Sequence, residues 1–509
     1  MAQQFRVESD LIGELQIPAD ALYGVQTLRG IENFPISKFK LKDYPTFING
    51  LAYTKLGAAM ANHQLGLLTD EQFHAIKQAC EEILAGKWHD QFPVDMIQGG
   101  AGTTTNMNAN EVIANRGLQI MGHQPGEYTY LSPNDHINRS QSTNDAYPTA
   151  IHLGLYAMHQ DFLKHYEAMI HAFEAKSEEF KNVLKMGRTQ LEDAVPMTLG
   201  QTFGAFASIL RDEIKHLNDA ADEFLTINMG ATAIGTGICS EPNYDKLCTK
   251  AIAEITGWNI REAEDLVAAT SDTSCMVGYS SVLRRIATKM NKISNDLRLL
   301  GSGPKCGLHE IDLPARQPGS SIMPGKVNPV IPEVMNQISY KVIGNDLCVA
   351  MCNEAAQMEL NMAEPTMAQC CFESMEIMMN GFDVLEAMNQ RGMLEEIPVI
   401  MISSEDTADS VRRAFDLGAS DYIGRPFDAK VVYQRVSNAI RLYAKQRRLS
   451  AMVADQVCEI EKRSRMMIDI LSRVVERRNG ESHAHAQRIS NLTNMLLTHL
   501  AQKTDSYPL

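Results

Sequence analysis

Eleven consecutive residues, Gly319-Ser320-Ser321-Ile322-Met323-Pro324-Gly325-Lys326-Val327-Asn328-Pro329, gather two hydroxyls, a cation, a side-chain amide and two glycines between helical segments. Such a set can hold a dicarboxylate while a weakly acidic C–H proton is removed. A free serine is far too poor a base for that work. Its alkoxide must therefore be stabilised by loop amides and by nearby positive charge. A serine pair in a glycine-containing loop is by itself ordinary turn chemistry, and an isolated Lys326 would be a solvated charge. The weight comes from the segments that accompany it.

Three further stretches carry the same small polar chemistry. They are Gln98-Gly99-Gly100-Ala101-Gly102-Thr103-Thr104-Thr105-Asn106-Met107-Asn108, Ser140-Gln141-Ser142-Thr143-Asn144-Asp145-Ala146-Tyr147-Pro148-Thr149, and Gly187-Arg188-Thr189-Gln190-Leu191-Glu192-Asp193-Ala194-Val195-Pro196. In this order, followed by the loop at 319–329, they resemble the substrate segments of the aspartase/fumarase superfamily over about residues 5–374. The resemblance implies a mainly α fold, a long helix bundle preceded by a mixed N-terminal domain. It also implies a site shared among three chains of a homotetramer.

In the roles that the resemblance carries over, Ser320 is the general base and Lys326 and Asn328 clamp a carboxylate. Thr103, Ser142, Thr143, Thr189 and Ser321 donate hydrogen bonds to developing charge, while Asn144 and Gln190 orient the substrate. Ser142-Thr143-Asn144-Asp145 also reads as a helix cap, which one of these residues can provide while its neighbours bind. Within the superfamily the aspartate ammonia-lyase pattern fits best, through Gly-Gly-Ala-Gly-Thr at 99–103 and Ser-Thr-Asn-Asp-Ala-Tyr-Pro at 142–148. Class II fumarases usually have a histidine where Gln190 stands, and glutamine cannot shuttle a proton. Glu192 is a departure, where relatives commonly have glutamine. The implied reaction is reversible elimination of ammonia from L-aspartate to give fumarate through an aci-carboxylate. It needs no metal and no organic cofactor, and the sequence leaves divalent-ion activation open. The alternatives are a class II fumarate hydratase and a non-catalytic signalling chain on a lyase-like scaffold.

Composition agrees with a small-molecule enzyme. The 509 residues carry a net charge of −15, which argues against a nucleic-acid partner because that surface needs a basic stripe. No run of about 18 apolar residues marks a membrane span. The ten cysteines are scattered without a CxxC pair, and no secretory leader is legible, so a cytoplasmic protein with reduced thiols is the expectation.

The elements that must position these residues follow from periodicity. Leu283, Ile286, Met290, Ile293, Leu297 and Leu300 recur at helical spacing, and Val334, Ile338, Val342 and Leu347 continue the striping after Pro329 and Pro332. The reading divides the chain into an N-terminal lyase domain of short helices and loops (1–140) and a long-helix bundle (141–388). A partial α/β segment (389–440) and a helical, heptad-spaced tail (441–509) complete it. In the third part, Ile397–Ser404 and Asp421–Ile423 read as strands flanking a helix. From Met378 onward this part resembles the second half of a response-regulator receiver, with Ser403 at the switch hydroxyl and Arg425-Pro426-Phe427 at its Lys-Pro-Phe. Glu376 stands at the phospho-acceptor position and the preceding strands are missing, so no phosphoryl transfer is expected. Arg478–Arg488 resembles the start of an HD-GYP domain, stopping before its metal pair. The chain thus reads as a fusion joined near Met375–Met388.

Overall fold

The structure, a computed structural model, describes residues 4–317, 319, 323, 326–389, 400–403, 421–424 and 430–438, with the single residues 412, 441 and 445. The expected heptad helix and the HD-GYP-like segment lie outside the described residues apart from 441 and 445. So do Arg425 and nearly all of the helix expected after Ser404. Two compact units are present, residues 1–185 with 197–395, and residues 186–196 with 396–509.

The first unit opens on an antiparallel hairpin, β1 (Phe5–Asp10) and β2 (Gly13–Pro18), followed by α1 (Val25–Asn33). Then come α2 (Pro45–Gln64), α3 (Asp70–Leu84) and α4 (Thr103–Ile120). These helices of 15 to 20 residues are longer than the mixture of short helices and loops expected for this region. Their interiors are rich in alanine, asparagine and threonine, so the apolar stripe that signals a helix is diluted. α2 and α4 bury residues around most of their circumference, and several of their buried polar side chains bond to backbone carbonyls, as Thr54 does to Gly50 and Asn115 to Leu22.

The long bundle begins with α5 (Thr143–Glu179), 37 residues with Pro148 inside it. Two strands, β3 (Leu184–Thr189) and β4 (Glu192–Thr198), form a hairpin before α6 (Leu199–Asp222). A short stretch holds β5 (Thr226–Ile227), the single turn α7 (Thr232–Gly235), α8 (Tyr244–Thr256), β6 (Arg261–Glu262) and α9 (Leu266–Ser271). The bundle closes with α10 (Ser274–Leu300), α11 (Val330–Glu354) and α12 (Glu364–Asn389). Leu283, Ile286, Met290, Ile293, Leu297 and Leu300 are all buried, as the periodicity predicts. Each such side chain contributes about 1.5–3 kcal/mol when fully buried. On α11 the stripe is only half realised. Val342 is buried, while Val334 is 38% and Leu347 62% exposed. Steps of four, four and five residues drift around a 3.6-residue helix and leave the contact face. α10 packs on α11, α11 on α12, α12 on α5 and α5 on α2 and α6. Phe47 of α2 stacks on Phe372 of α12 at 5.2 Å and meets Tyr147 of α5 at 5.8 Å. Among the described residues, no helix is long and apolar enough to cross a membrane.

In the second unit, β7 (Ile400–Ser403) and β8 (Asp421–Gly424) pair in parallel, Ile400 with Asp421 through Ser403 with Gly424. Both strands expected from the short apolar runs are therefore present. Parallel neighbours require a crossover connection between them, as the α/β reading supposes.

Candidate active site

The start of α5 supplies the first group of site residues. Ser142 caps the helix, its Oγ accepting the Asn144 N–H at 3.2 Å, while Asp145 Oδ1 accepts the Ser142 N–H at 2.9 Å. This reciprocal capping box satisfies two otherwise orphan donors. The capping reading thus applies to Ser142 and Asp145, leaving Thr143 and Asn144 half-buried on the first turn. Asp145 is fully buried and also accepts the Gly230 N–H at 3.0 Å. Burial raises its carboxyl to about 6, opposed by those two N–H donors and by the charge of Lys55.

Pro148 lacks the N–H that would bond the Asn144 carbonyl. The vacated acceptor is taken by Asn228 Nδ2 at 3.0 Å, so a proline inside a long helix leaves no orphan there. Asn144 Nδ2 donates to the Ala233 carbonyl at 2.7 Å. Ala233 sits at φ 60° and ψ −69°, a conformation costly for a residue with a Cβ. Sequence reading missed this partner segment. The glycines at 230, 235 and 237, all with positive φ, were the available signal.

Thr103 opens α4 and is exposed, its hydroxyl donating to the Gly100 carbonyl at 2.8 Å. The preceding Gly102 has φ +88°, and a Cβ there would stand 2.2 Å from the Tyr147 ring. Only glycine lets this loop lie against α5 one turn beyond Thr143, which is how the first two segments are brought together. Gln98 pins the loop from behind, donating to Asp95 O and Thr105 Oγ1 and accepting the Thr105 N–H.

Beneath Thr143 lies a buried polar cluster that sequence reading passed over. Lys55 of α2 is wholly inaccessible, and its ammonium donates to Asn106 Oδ1 at 2.7 Å, Gln141 Oε1 at 2.8 Å and Asn138 Oδ1 at 3.1 Å. Asn106 Nδ2 in turn donates to Asn138 Oδ1 at 3.1 Å and to Thr143 Oγ1 at 3.3 Å. Burial pushes the Lys55 ammonium down to about 7, opposed by Asp145. Three carbonyl oxygens around one nitrogen require three N–H donors, which only the ammonium supplies. A lone lysine in an alanine-rich helix was the signal.

The loop at 319–329 is described at its base. Asn328 Nδ2 donates to the Gly319 carbonyl at 2.8 Å, and the Lys326 N–H to Met323 O at 3.1 Å. A Cβ on Gly319 would stand 1.6 Å from the Lys326 carbonyl oxygen, so the two ends of the loop touch backbone to backbone. Lys326 is exposed. Ser320 and Ser321 lie outside the described residues. Among the described residues, no hydrogen bond or ion pair carries Lys326 or Asn328 to Thr103 or to Ser142–Asn144 within one chain. Thr189 and Gln190 belong to the second unit, at the exposed end of the β3–β4 hairpin. Gln190 and Leu191 form its two-residue turn with φ 56° and 68°, the twist such hairpins favour. Arg188 and Asp193 face each other across it at 3.4 Å.

Comparison with known proteins gives this arrangement its context. The family described as lyase matches residues 13–344, and the response regulator receiver domain matches residues 342–437. The aspartate ammonia-lyase of Pseudomonas canavaninivorans is 54% identical over 385 residues, 75% of this chain and 81% of the relative. That of Escherichia coli K12 is 53% identical over 388 residues, 76% and 81% of the two chains. Among solved structures, a fumarate lyase:delta crystallin from Brucella melitensis superposes with a TM-score of 0.74 at 48% identity, covering 76% of this chain and 84% of its own. A class II fumarase from Schistosoma mansoni gives 0.72 at 32%, covering 76% and 84%. The receiver match begins inside α11, earlier than the resemblance read from Met378 onward. With its family match spanning most of the length and its relatives covered over four fifths of theirs, the chain belongs to the lyase family.

Proposed function

We propose that this chain is an aspartate ammonia-lyase, eliminating ammonia from L-aspartate to give fumarate. The supporting observation is identity of 53–54% to proteins of that name over 385 to 388 residues, about three quarters of this chain. In this reading Ser320 removes a proton from the carbon beside the β-carboxylate, and Lys326 takes a carboxylate. The carboxylate next to the carbanion becomes a doubly charged aci-carboxylate. Preorganised donors aimed at that charge, drawn from Thr103, Ser142, Thr143, Thr189 and Ser321, supply the largest catalytic contribution, about 3 kcal/mol per well-placed donor. Asn144 and Gln190 orient the substrate, and Asn328, which clamps a carboxylate with Lys326, also holds the loop base closed through its bond to the Gly319 carbonyl.

Among the described residues no hydrogen bond or ion pair joins Lys326 or Asn328 to the α5 segment within one chain, which fits a site completed between copies. The assembly proposed is a homotetramer, with Thr189 and Gln190 supplied by another subunit. A cytoplasmic location goes with it. The lyase domain boundaries proposed are 1–140 and 141–388, with 389–440 receiver-like and 441–509 a helical tail. Fumarate absorbance measured with L-aspartate, L-malate and argininosuccinate tests the activity. Fumarate released from L-aspartate alone supports it, and release from L-malate instead would make the chain a hydratase. Light scattering tests the assembly, since a fully active monomer is incompatible with a shared site.

A further inference from the structure

The direction of the hydrogen bonds under Thr143 is determined by chemistry rather than by choice of rotamer. A lysine ammonium can only donate, so the atom of Asn106 that faces Lys55 must be its carbonyl oxygen. The amide nitrogen is then forced to the other side, where its two hydrogens go to Asn138 Oδ1 and Thr143 Oγ1. Asn138 Oδ1 is itself held as an acceptor, because Lys55 and Asn110 Nδ2 also donate to it, each at 3.1 Å. Thr143 Oγ1 therefore receives a hydrogen bond from below, and its own O–H has to point elsewhere. Among the described residues, none accepts that proton.

We infer that Lys55, acting through Asn106, is a positioning residue that turns the Thr143 hydroxyl outward as a committed donor to a substrate carboxylate. The chain runs from the buried ammonium through the Asn106 carbonyl and amide N–H to the Thr143 oxygen. Each member polarises the next, and the charge at its base lies where water cannot screen it. The same ammonium grips Gln141 and Asn138, so the turn leading into α5 is fixed to α2 by one group. This deepens the reading of 142–144 as a carboxylate-binding segment and rests on it.

The test is calorimetric titration of the full chain with succinate, beside turnover of L-aspartate. In Asn106→Asp the new carboxylate keeps Lys55 as a charged partner, which offsets its oxygen–oxygen contact with Asn138. It can only accept, so the Thr143 proton turns inward. Succinate affinity should fall about tenfold, as for loss of one hydrogen bond to a charged group. A second variant, Lys55→Met with Asn106→Leu, removes both partners together; Asn138 Oδ1 keeps Asn110 Nδ2, while Gln141 Oε1 loses its donor, a cost read in the melting temperature. It should lose a similar factor. Adding Thr143→Val to either background should cost little more, because the three residues act as one unit.

Succinate binding within about twofold of the parent in both folded variants, or a Thr143→Val effect that simply multiplies theirs, overturns the inference. A merely structural role would lower melting temperature without this non-additivity. A parent that binds succinate but does not turn over L-aspartate overturns the proposed activity and leaves the positioning role standing. A parent that binds no succinate overturns the positioning role too, since the Thr143 proton then meets no carboxylate.

Discussion

Replacing Gly319 by alanine should separate catalysis from stability in this chain. The added Cβ would stand 1.6 Å from the Lys326 carbonyl oxygen, and real Cβ atoms stay beyond 3.0 Å, so the loop base must open by about 1.4 Å. The obstructing atoms, Lys326 O, Lys326 C and Asn328 N, are all backbone, and no flexible side chain can yield in their place. Opening also breaks the Asn328 Nδ2 bond to the Gly319 carbonyl, worth about 1 kcal/mol net. Lys326 is exposed and Asn328 half-buried, so little apolar surface is lost and melting temperature should hardly move. Activity should respond quite differently. Displacing reacting groups by about 1 Å costs on the order of a hundredfold in rate. Ser320 and Ser321 follow Gly319 directly, so kcat/KM for L-aspartate should fall about a hundredfold. The assay is fumarate absorbance beside a thermal melt of the same preparation. Gly319→Ala with turnover within about threefold of the parent would refute the view that a closed loop base positions the catalytic serine.

Other outcomes follow from single residues. Ser320→Ala should lower kcat by a factor on the order of 10² to 10⁴, the range of a lost general base, with succinate still binding; intact turnover would remove Ser320 from that role. Asn228→Ala should destabilise by about 1–3 kcal/mol in chemical denaturation, because the Asn144 carbonyl that Pro148 cannot serve would be left unpaired. Glu364, at the start of α12, is fully buried, and burial alone raises its carboxyl to about 8. The folded chain thus holds that proton more tightly than the unfolded chain does. The stability this contributes is complete below the ordinary carboxyl value and is lost as pH climbs toward 8. Glu364→Gln should flatten that decline in denaturation midpoints taken between about pH 5 and about pH 8.5, and an unchanged slope would contradict it.

Residues whose signal is local were legible, and those whose meaning depends on a distant partner were not. The α10 stripe needs only helical spacing and a shared core, and it survives intact. Ser142 and Asp145 announce a cap at three-residue separation, and they form one. Thr103 sits in a glycine-rich turn for a reason visible at 99–103, although its support by Tyr147 is not. Lys55, by contrast, lies 51 positions from Asn106 and 86 from Gln141. No spacing rule connects them, and in the sequence Lys55 is one charge in an alanine-rich helix. Ala233 and Asn228 lie more than 80 positions from the Asn144 atoms they meet. Leu347 errs in the other direction. Its apolar character suggested core, but the five-residue step from Val342 rotates it to the surface, where a single chain provides no cover.

The junction between the two sequence textures is the sharpest example of a fold tolerating what sequence alone makes doubtful. The expected joint near Met375–Met388 lies entirely within α12, which runs unbroken from Glu364 to Asn389. A helix continues wherever its residues accept helical geometry and its inward face stays apolar. Beyond Met375, itself buried, the inward positions are Met378, Phe382 and Leu385, all buried, at intervals of four and three. Phe382 is the decisive one. It packs against Phe162 and Tyr166 of α5 with ring centroids 5.6 and 5.5 Å away, and its neighbour Asp383 meets His165 at 2.6 Å. Residues that resemble one family thus fill a groove on the core helix of another. The requirement α5 imposes is only a large apolar side chain at that turn. A receiver helix, which must bury its own face against a sheet, carries such residues for an unrelated reason. Two stripes built for different partners share one period, and that coincidence lets α12 complete the bundle.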